Sequence, residues 1–495
     1  MAIRPPSSRK PCNDGVVAGG RRPAFALVAF ALVALAVVVA GCGSGSHSRP
    51  RATEKHARAD GNLWVSNLGG SCARQATPGP EVMGQECGSL NQAYEAASCG
   101  DVVDIDAGTY SAVQALNDNP SLDACSSPVV FQAAPDVPRS AVVFSAAGNS
   151  IDDYDGAFGA GKGASNWVLR NVTVKADIAL DGVHGVTIDG IDGGSFYVAG
   201  SSDITVKNSD LGPCYNLISL PAGQKNDNGT PGPTYSPDPT IKCNDNIKIA
   251  GGTNITFRHN VIHDFLDDNS TGATDHFECV FIAAGTGVTF DGNRFYHCQI
   301  YAIFLQDFAG PISGVTIENN WFSEGQGGMG ACTSDRSGCP PESSGGSDHD
   351  TLTFGASNTG ISDVLIRYNS FDPCCGLSQE GSAMGANIRA VGNILGGPTA
   401  GGCITGVNFS YNLWQHGAGG PCGTGDATIP TNPFLSAGNP DATQDDLHLK
   451  CGTTARNFVT PNAADYRLAY DIDGKPRNPN GPRDAGASAE RSCGP

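Results

Sequence analysis

The segment Asp275-His276-Phe277-Glu278-Cys279 places two carboxylates and an imidazole within four positions, and Asp348-His349-Asp350 repeats that grouping. Asp245 lies ten residues before Ile255, as Glu278 lies ten before Val288, so equal spacing would set the two acids side by side on adjacent units. Carboxylates and imidazoles brought together can exchange protons with a bound molecule as general acid and base. Acidic groups can also hold a Ca²⁺ ion. We take Glu278 and Asp350 as acid or base, His276 and His349 as base or metal ligands, and Asp245 and Asp275 as supporting members. His263, Asp264, Asp267 and Asp268 are near enough in sequence to join them. The competing reading is that Asp and Asn at strand starts satisfy turn backbones.

A short pattern that would position these groups recurs nine times. Its anchors are Trp167, Val186, Ile204, Ile255, Val288, Val315, Val364, Ile388 and Val407, at steps of 19, 18, 51, 33, 27, 49, 24 and 19 residues. Each copy alternates apolar and polar residues, as in Ile255-Thr256-Phe257-Arg258, which reads as a strand with one face buried. The shortest steps fit one coil of a β-solenoid, and the longest leave room for loops on one face. Those loops run from about Gly212 to Asn244 and from Glu324 to Ser347. Asparagine follows the anchor by four or five residues in eight of the nine copies, which predicts a ladder of side-chain hydrogen bonds between stacked coils. Val261, Phe295, Phe322, Phe371, Ile394 and Leu413 then follow and are expected to stack inside. Arg258, Arg294 and Arg367 share an outward position and read as a solvated stripe.

These repeats, an opening segment (Leu63-Trp64-Val65 to Tyr110) and a closing one (Asp446-Leu447-His448-Leu449, Asp471-Ile472-Asp473-Gly474) resemble the bacterial right-handed parallel β-helix proteins of the pectin-lyase-like superfamily. The resemblance spans most of residues 61–490. It implies an all-β chain forming a single-stranded parallel β-helix with loop insertions and end caps. Residues 88–98 have the apolar spacing of a capping helix. The resemblance is specific for fold and nearly silent on reaction. The clustered carboxylates and imidazoles point to a polysaccharide or cell-envelope component as partner, approached as a lyase or hydrolase. In the lyase or epimerase case Ca²⁺ would neutralise a uronic acid while a base removes the C5 proton. No polygalacturonase motif set, Arg- or Lys-centred pectate lyase signature, nucleophile elbow or nucleotide fingerprint is present. The alternative class is a non-catalytic glycan- or protein-binding scaffold, and a structural envelope protein is a third.

Residues 1–41 stand apart. Five basic residues and an uncharged apolar run, Ala24 to Ala40, end in Val39-Ala40-Gly41-Cys42. Small residues before a cysteine resemble the lipobox of bacterial lipoproteins, which implies lipid attachment at Cys42, a cell-surface location and membrane contact only through the anchor. A transmembrane anchor is the rival, since 17 apolar residues could just span a bilayer. The organisation expected is a signal peptide (1–41), a tether (42–60), the β-helix (61–430) and a C-terminal capping segment (431–495). The leader carries +5 − 1 = +4, so the remainder carries −19 − 4 = −23, which argues against nucleic acid as a partner. Of 18 cysteines, 16 remain beyond Cys12 and Cys42, an even number that suits disulfides in an oxidising compartment better than zinc. Plausible local pairs are Cys72–Cys87, Cys99–Cys125, Cys214–Cys243, Cys332–Cys339 and Cys451–Cys493. Replacing Cys42 with alanine should release the protein from membranes into the soluble fraction. Retention on fractionation would instead indicate a transmembrane anchor.

Overall fold

Apart from one hairpin, Phe434–Ser436 against Asp446–Leu449, the named strands pair in parallel with strands one coil away. The computed structural model describes residues 61–145, 158–160, 164–175, 177–216, 246–267, 278–298, 301–323, 352–355, 360–373, 375–380, 385–396, 403–415, 419–439, 442–463 and 465–489. All of them belong to one unit, Lys55–Pro495; the other, Met1–Glu54, lies outside the described residues, as do Cys42 and the whole leader.

A central coil shows how the chain turns. Ile247–Arg258 supplies two faces, with register shifts between Ile249 and Thr253, and Val261–Asp267 supplies the third. The next coil, Val280–Asp291 and Arg294–Cys298, repeats it at an offset of 33: Ile247 pairs with Val280, Ile255 with Val288 and Val261 with Arg294. Side chains alternate in and out along each strand. Ile204, Ile255 and Val288 therefore stack as one buried column, and Phe257 lies 5.2 Å from Phe290 in the neighbouring one. Each such burial contributes about 2 kcal/mol of apolar transfer.

The corner between the second and third faces takes two residues per coil. The first is held at positive φ: Asn171, Gly190, Asn208, His259, Gly292, Asn319, Tyr368, Gly392 and Tyr411. The second points inward, and from Asn260 through Asn293, Asn320, Asn369, Asn393 and Asn412 it is a buried asparagine. Asn320 is representative. Its Nδ2 donates to Asn369 Oδ1 (3.0 Å) and to the Phe290 carbonyl (2.9 Å), and its Oδ1 accepts from the backbone N–H (2.8 Å) and Nδ2 (3.0 Å) of Asn293. Ser209 opens this ladder and Asp426 closes it. The asparagines four residues after the anchor, Asn171 and Asn208, are not rungs; they occupy the left-handed corner position, which asparagine tolerates.

The third face corrects the expected core by one residue. Phe295, Phe322 and Phe371 do stack inside, at 5.0 and 4.6 Å, but their neighbours in register are Ile262, Leu395 and Trp414. Val261, Ile394 and Leu413 are in the column of Arg294 and Trp321 and point outward, since a shift of one residue reverses every side chain. Arg294 accordingly leaves the column of Arg258, whose partner is Asp291.

Helix α1 (Leu90–Ala96) is started by Ser89, whose hydroxyl accepts from the Gln92 N–H, and buries Leu90, Ala93 and Tyr94 in the main core. At the other end the turn 419–426 packs on the last rung, tied by the Cys403–Cys422 disulfide and by Trp414 Nε1 donating to Asp426 (2.9 Å). The tail beyond it runs back along the flank, where it buries Tyr368, Ile394 and Leu413. Arg477, 4% exposed, stacks on Tyr368 and donates to Asn319 Oδ1 and to the carbonyls of Gly486 and Ala487. Cys72–Cys87 and Cys99–Cys125 are bridged as expected. Cys279–Cys298 is a further bridge. Cys214 and Cys451 are also bonded, whereas Cys243, Cys332, Cys339 and Cys493 lie outside the described residues. Asn320→Ala should cost about 3 kcal/mol, because the buried N–H and Nδ2 of Asn293 lose their acceptor while the Phe290 carbonyl and Asn369 Oδ1 lose a donor. Exposed Asn208→Gly should cost less than about 1 kcal/mol in the same urea titrations.

Candidate functional site

The long connections of the central coils leave from one corner, where the third face ends and the first face of the next coil begins. Residues 217–245, 268–277 and 324–351, outside the described residues, join strands across that corner. The first insertion starts later than its composition suggested, since Cys214–Asn216 is a strand paired with Phe265–Asp267. Asp245, Asp275, His276, His349 and Asp350 also lie outside the described residues. Their nearest described strands are in the expected register: Ile247 pairs with Val280, Val280 with Ile303, and Ile303 with Leu352.

Glu278 is described and is 1% exposed. Its Oε2 accepts from Asn246 Nδ2 at 2.9 Å, so the carboxylate ties adjacent coils together. Cys279 beside it bonds to Cys298 and closes the coil on itself.

The described groups that do come together are Asp210, His263, Asp264 and His297, along the third face rather than at that corner. His263 Nε2 lies 2.9 Å from Asp210 Oδ1 and its Nδ1 lies 2.6 Å from Asp264 Oδ2; the second Asp264 oxygen lies 2.9 Å from His297 Nδ1. The result is a linear chain of carboxylate, imidazole, carboxylate and imidazole across three coils. Strand register builds it: Asp210 pairs with Val261 and Val261 with Arg294, so Asp264 and His297 are each three residues past a paired position, and both have positive φ. Gly212 keeps the neighbouring coil close, because an added Cβ would meet the His263 carbonyl oxygen at 2.0 Å. Tyr296 stacks on the His263 ring at 4.8 Å.

Burial works against a charged His263, but hydrogen bonds from both ring nitrogens to Asp210 and Asp264 outweigh it and raise its pKa to about 9. Asp264 is buried too, which would raise it, yet the two imidazoles hold it well below the usual carboxylate range. The two shifts express one interaction seen from either partner. His263 is thus an imidazolium that donates at both nitrogens. His297 has one nitrogen committed to Asp264; in its neutral form the other, Nε2, is an acceptor, and it has no hydrogen-bond partner among the described residues. A carboxylate behind an imidazole fixes its tautomer and steadies the cation that forms when it takes a proton. The asparagine ladder carried the signal for His297: Asp264 and His297 each follow their rung, Asn260 and Asn293, by four residues. Among the described residues no group of three or more His, Cys, Asp or Glu side chains is arranged to hold a metal ion, so these residues give Ca²⁺ no site.

Because His263 is protonated more readily in the folded state, its contribution is complete below about pH 6.5 and is lost as pH rises through 9. It amounts to at most about 3 kcal/mol. Unfolding free energies measured from about pH 6 to pH 10 should fall across that window and flatten in His263→Gln.

A family model described as a right-handed beta helix region matches residues 162–343. No curated protein matches the chain. Among solved structures, pectate lyase Pel9A is similar over 87% of this chain and 96% of its own, with a TM-score of 0.41 and 13% identity. The alginate lyase AlyGC of the PL6 family is similar over 72% of this chain and 56% of its own, with a TM-score of 0.32 and 11% identity. A PL6 family polysaccharide lyase, Pedsa3628 from Pseudopedobacter saltans, is similar over 73% of this chain and 94% of its own, with a TM-score of 0.27 and 12% identity. The strand pairing and the family match together give the fold, a right-handed parallel β-helix.

Proposed function

We propose that this protein is a polysaccharide-acting enzyme, displayed on the cell surface through a lipid on Cys42, that removes a proton from a uronic acid ring and eliminates the neighbouring glycosidic bond. The observation that supports this reading is the chain Asp210–His263–Asp264–His297. In it His297 Nε2 is the base, Asp264 stabilises the imidazolium that forms, and His263, held between Asp210 and Asp264, fixes that carboxylate in place. Hydrolysis is the weaker alternative: it calls for two carboxyl groups flanking the bond, and both carboxylates here are committed to His263. Asp245, Asp275, His276, His349 and Asp350, which lie outside the described residues, are kept as candidate partners in this reading, with Ca²⁺ joining the substrate among them.

The test is a depolymerisation screen of neutral and uronate-containing polysaccharides, with and without Ca²⁺. It follows unsaturated-uronate absorbance and new reducing ends. Unsaturated product is expected, with kcat reduced about 10³-fold in His297→Gln at an unchanged melting temperature; Glu278→Gln should lower the melting temperature instead. Reducing ends without absorbance would mean hydrolysis. Glycan binding without turnover would make the protein a non-catalytic scaffold.

A further inference from the structure

The strands that carry His263 and His297 begin at Val261 and Arg294, in the column next to Asp210, and there line a second feature that contains none of the acid–base chain. There a cavity of about 450 Å³ opens between the flank of the β-helix and the returning tail. Its two walls differ in chemistry. On the β-helix side, His259 occupies the positive-φ corner and its ring lies across the next coil at Gly292, where an added Cβ would come within 2.6 Å of Cδ2. Neither of its ring nitrogens has a hydrogen-bond partner among the described residues. Arg294 stacks 5.1 Å over Trp321, and its one hydrogen bond is a long one, 3.5 Å, to the Asp445 carbonyl. Trp321 is 6% exposed, and its indole N–H finds no acceptor among the described residues.

On the tail side stand the carboxylates of Asp446 and Asp473, gripping His448 between them. One wall therefore offers the Arg294 guanidinium and the His259 ring, with Trp321 as a flat aromatic surface, and the other offers acceptors. An anion would meet the carboxylates and a cation would meet Arg294. A hydroxyl group both donates and accepts, so a ring bearing several hydroxyls can satisfy both walls without bringing charge. The volume lies at the lower end of the range for small-molecule sites, about 300–1,000 Å³. We infer that this cavity binds a neutral sugar ring, either as a free sugar or as one residue of a chain.

The site is separate from the proposed acid–base chain and stands or falls independently of it. The intact protein would be titrated with glucose, galactose, mannose and xylose, with oligosaccharides of each, and with glycerol as control, following heat and tryptophan emission. At least one sugar should saturate with Kd of about 1 mM, and the emission change should vanish in Trp321→Phe. His259→Ala, at an exposed position, and Arg294→Ala should each weaken binding at least about tenfold, a loss of roughly 1.4 kcal/mol, while His297→Gln leaves it unchanged. Saturation by monosaccharides identifies a free-sugar site; saturation by oligosaccharides alone identifies a residue within a chain. No saturable binding, or binding that survives both cavity variants, would overturn the inference. Binding lost only in His297→Gln would also overturn it, since the sugar would then lie at the acid–base chain.

Discussion

Stacking the coils of this protein depends on the side-chain amide of one residue per turn. At the corner between the second and third faces, backbone groups leave the sheets and would be stranded inside an apolar core. A buried asparagine provides the remedy from Asn260 to Asn412: its amide nitrogen bridges a carbonyl of the preceding coil to the oxygen of the next asparagine. Because the same amide both receives from one coil and gives to the next, a rung is satisfied only when coils on both sides are in register. Slippage by one residue would expose the hydrophobic columns and break the ladder together.

That registration carries over to the chemistry. Side chains far apart in sequence become neighbours because each stands a fixed number of residues from its rung. Asp264 and His297 meet for this reason, and Asp210 reaches His263 across 53 residues by the same arithmetic. The paired ring nitrogens and carboxylates then set their own protonation. Two anions around one imidazole make it a cation, and two imidazoles around one carboxylate keep it ionised.

Much of this was legible from residues alone. Anchors such as Ile255 and Val288 announce a buried strand through simple alternation, and their spacing of 33 is the pairing offset. What grouping four- and five-residue spacings together blurred was a rung and a corner, which stand one residue apart. Asparagine suits both, one for its amide and the other for its tolerance of positive φ, so Asn208 and Asn260 look alike in sequence although one is exposed and the other buried. The same one-residue ambiguity put Ile394 and Leu413 inside. Both are hydrophobic because the tail covers them, and a tail lying along the flank leaves no periodic trace. Glu278 was recognised as significant, and its setting shows a carboxylate holding two coils. His297 was passed over because a single histidine before a cysteine has no distinctive spacing until the coils are aligned.

The returning tail has a consequence for how the molecule is made. The outward residues Trp321, Tyr368, Val391, Ile394 and Leu413 form an apolar stripe on the coils they belong to, and their cover is supplied by residues beyond 430, among them Leu447, Val459 and Ala485. Coils can add one after another as the chain emerges, each using its predecessor as template. The stripe cannot be covered until the residues beyond 430 are present. From the coil of Trp321 onward, then, the growing chain carries an adhesive surface, and the residues beyond 430 serve as the lid that ends this exposure.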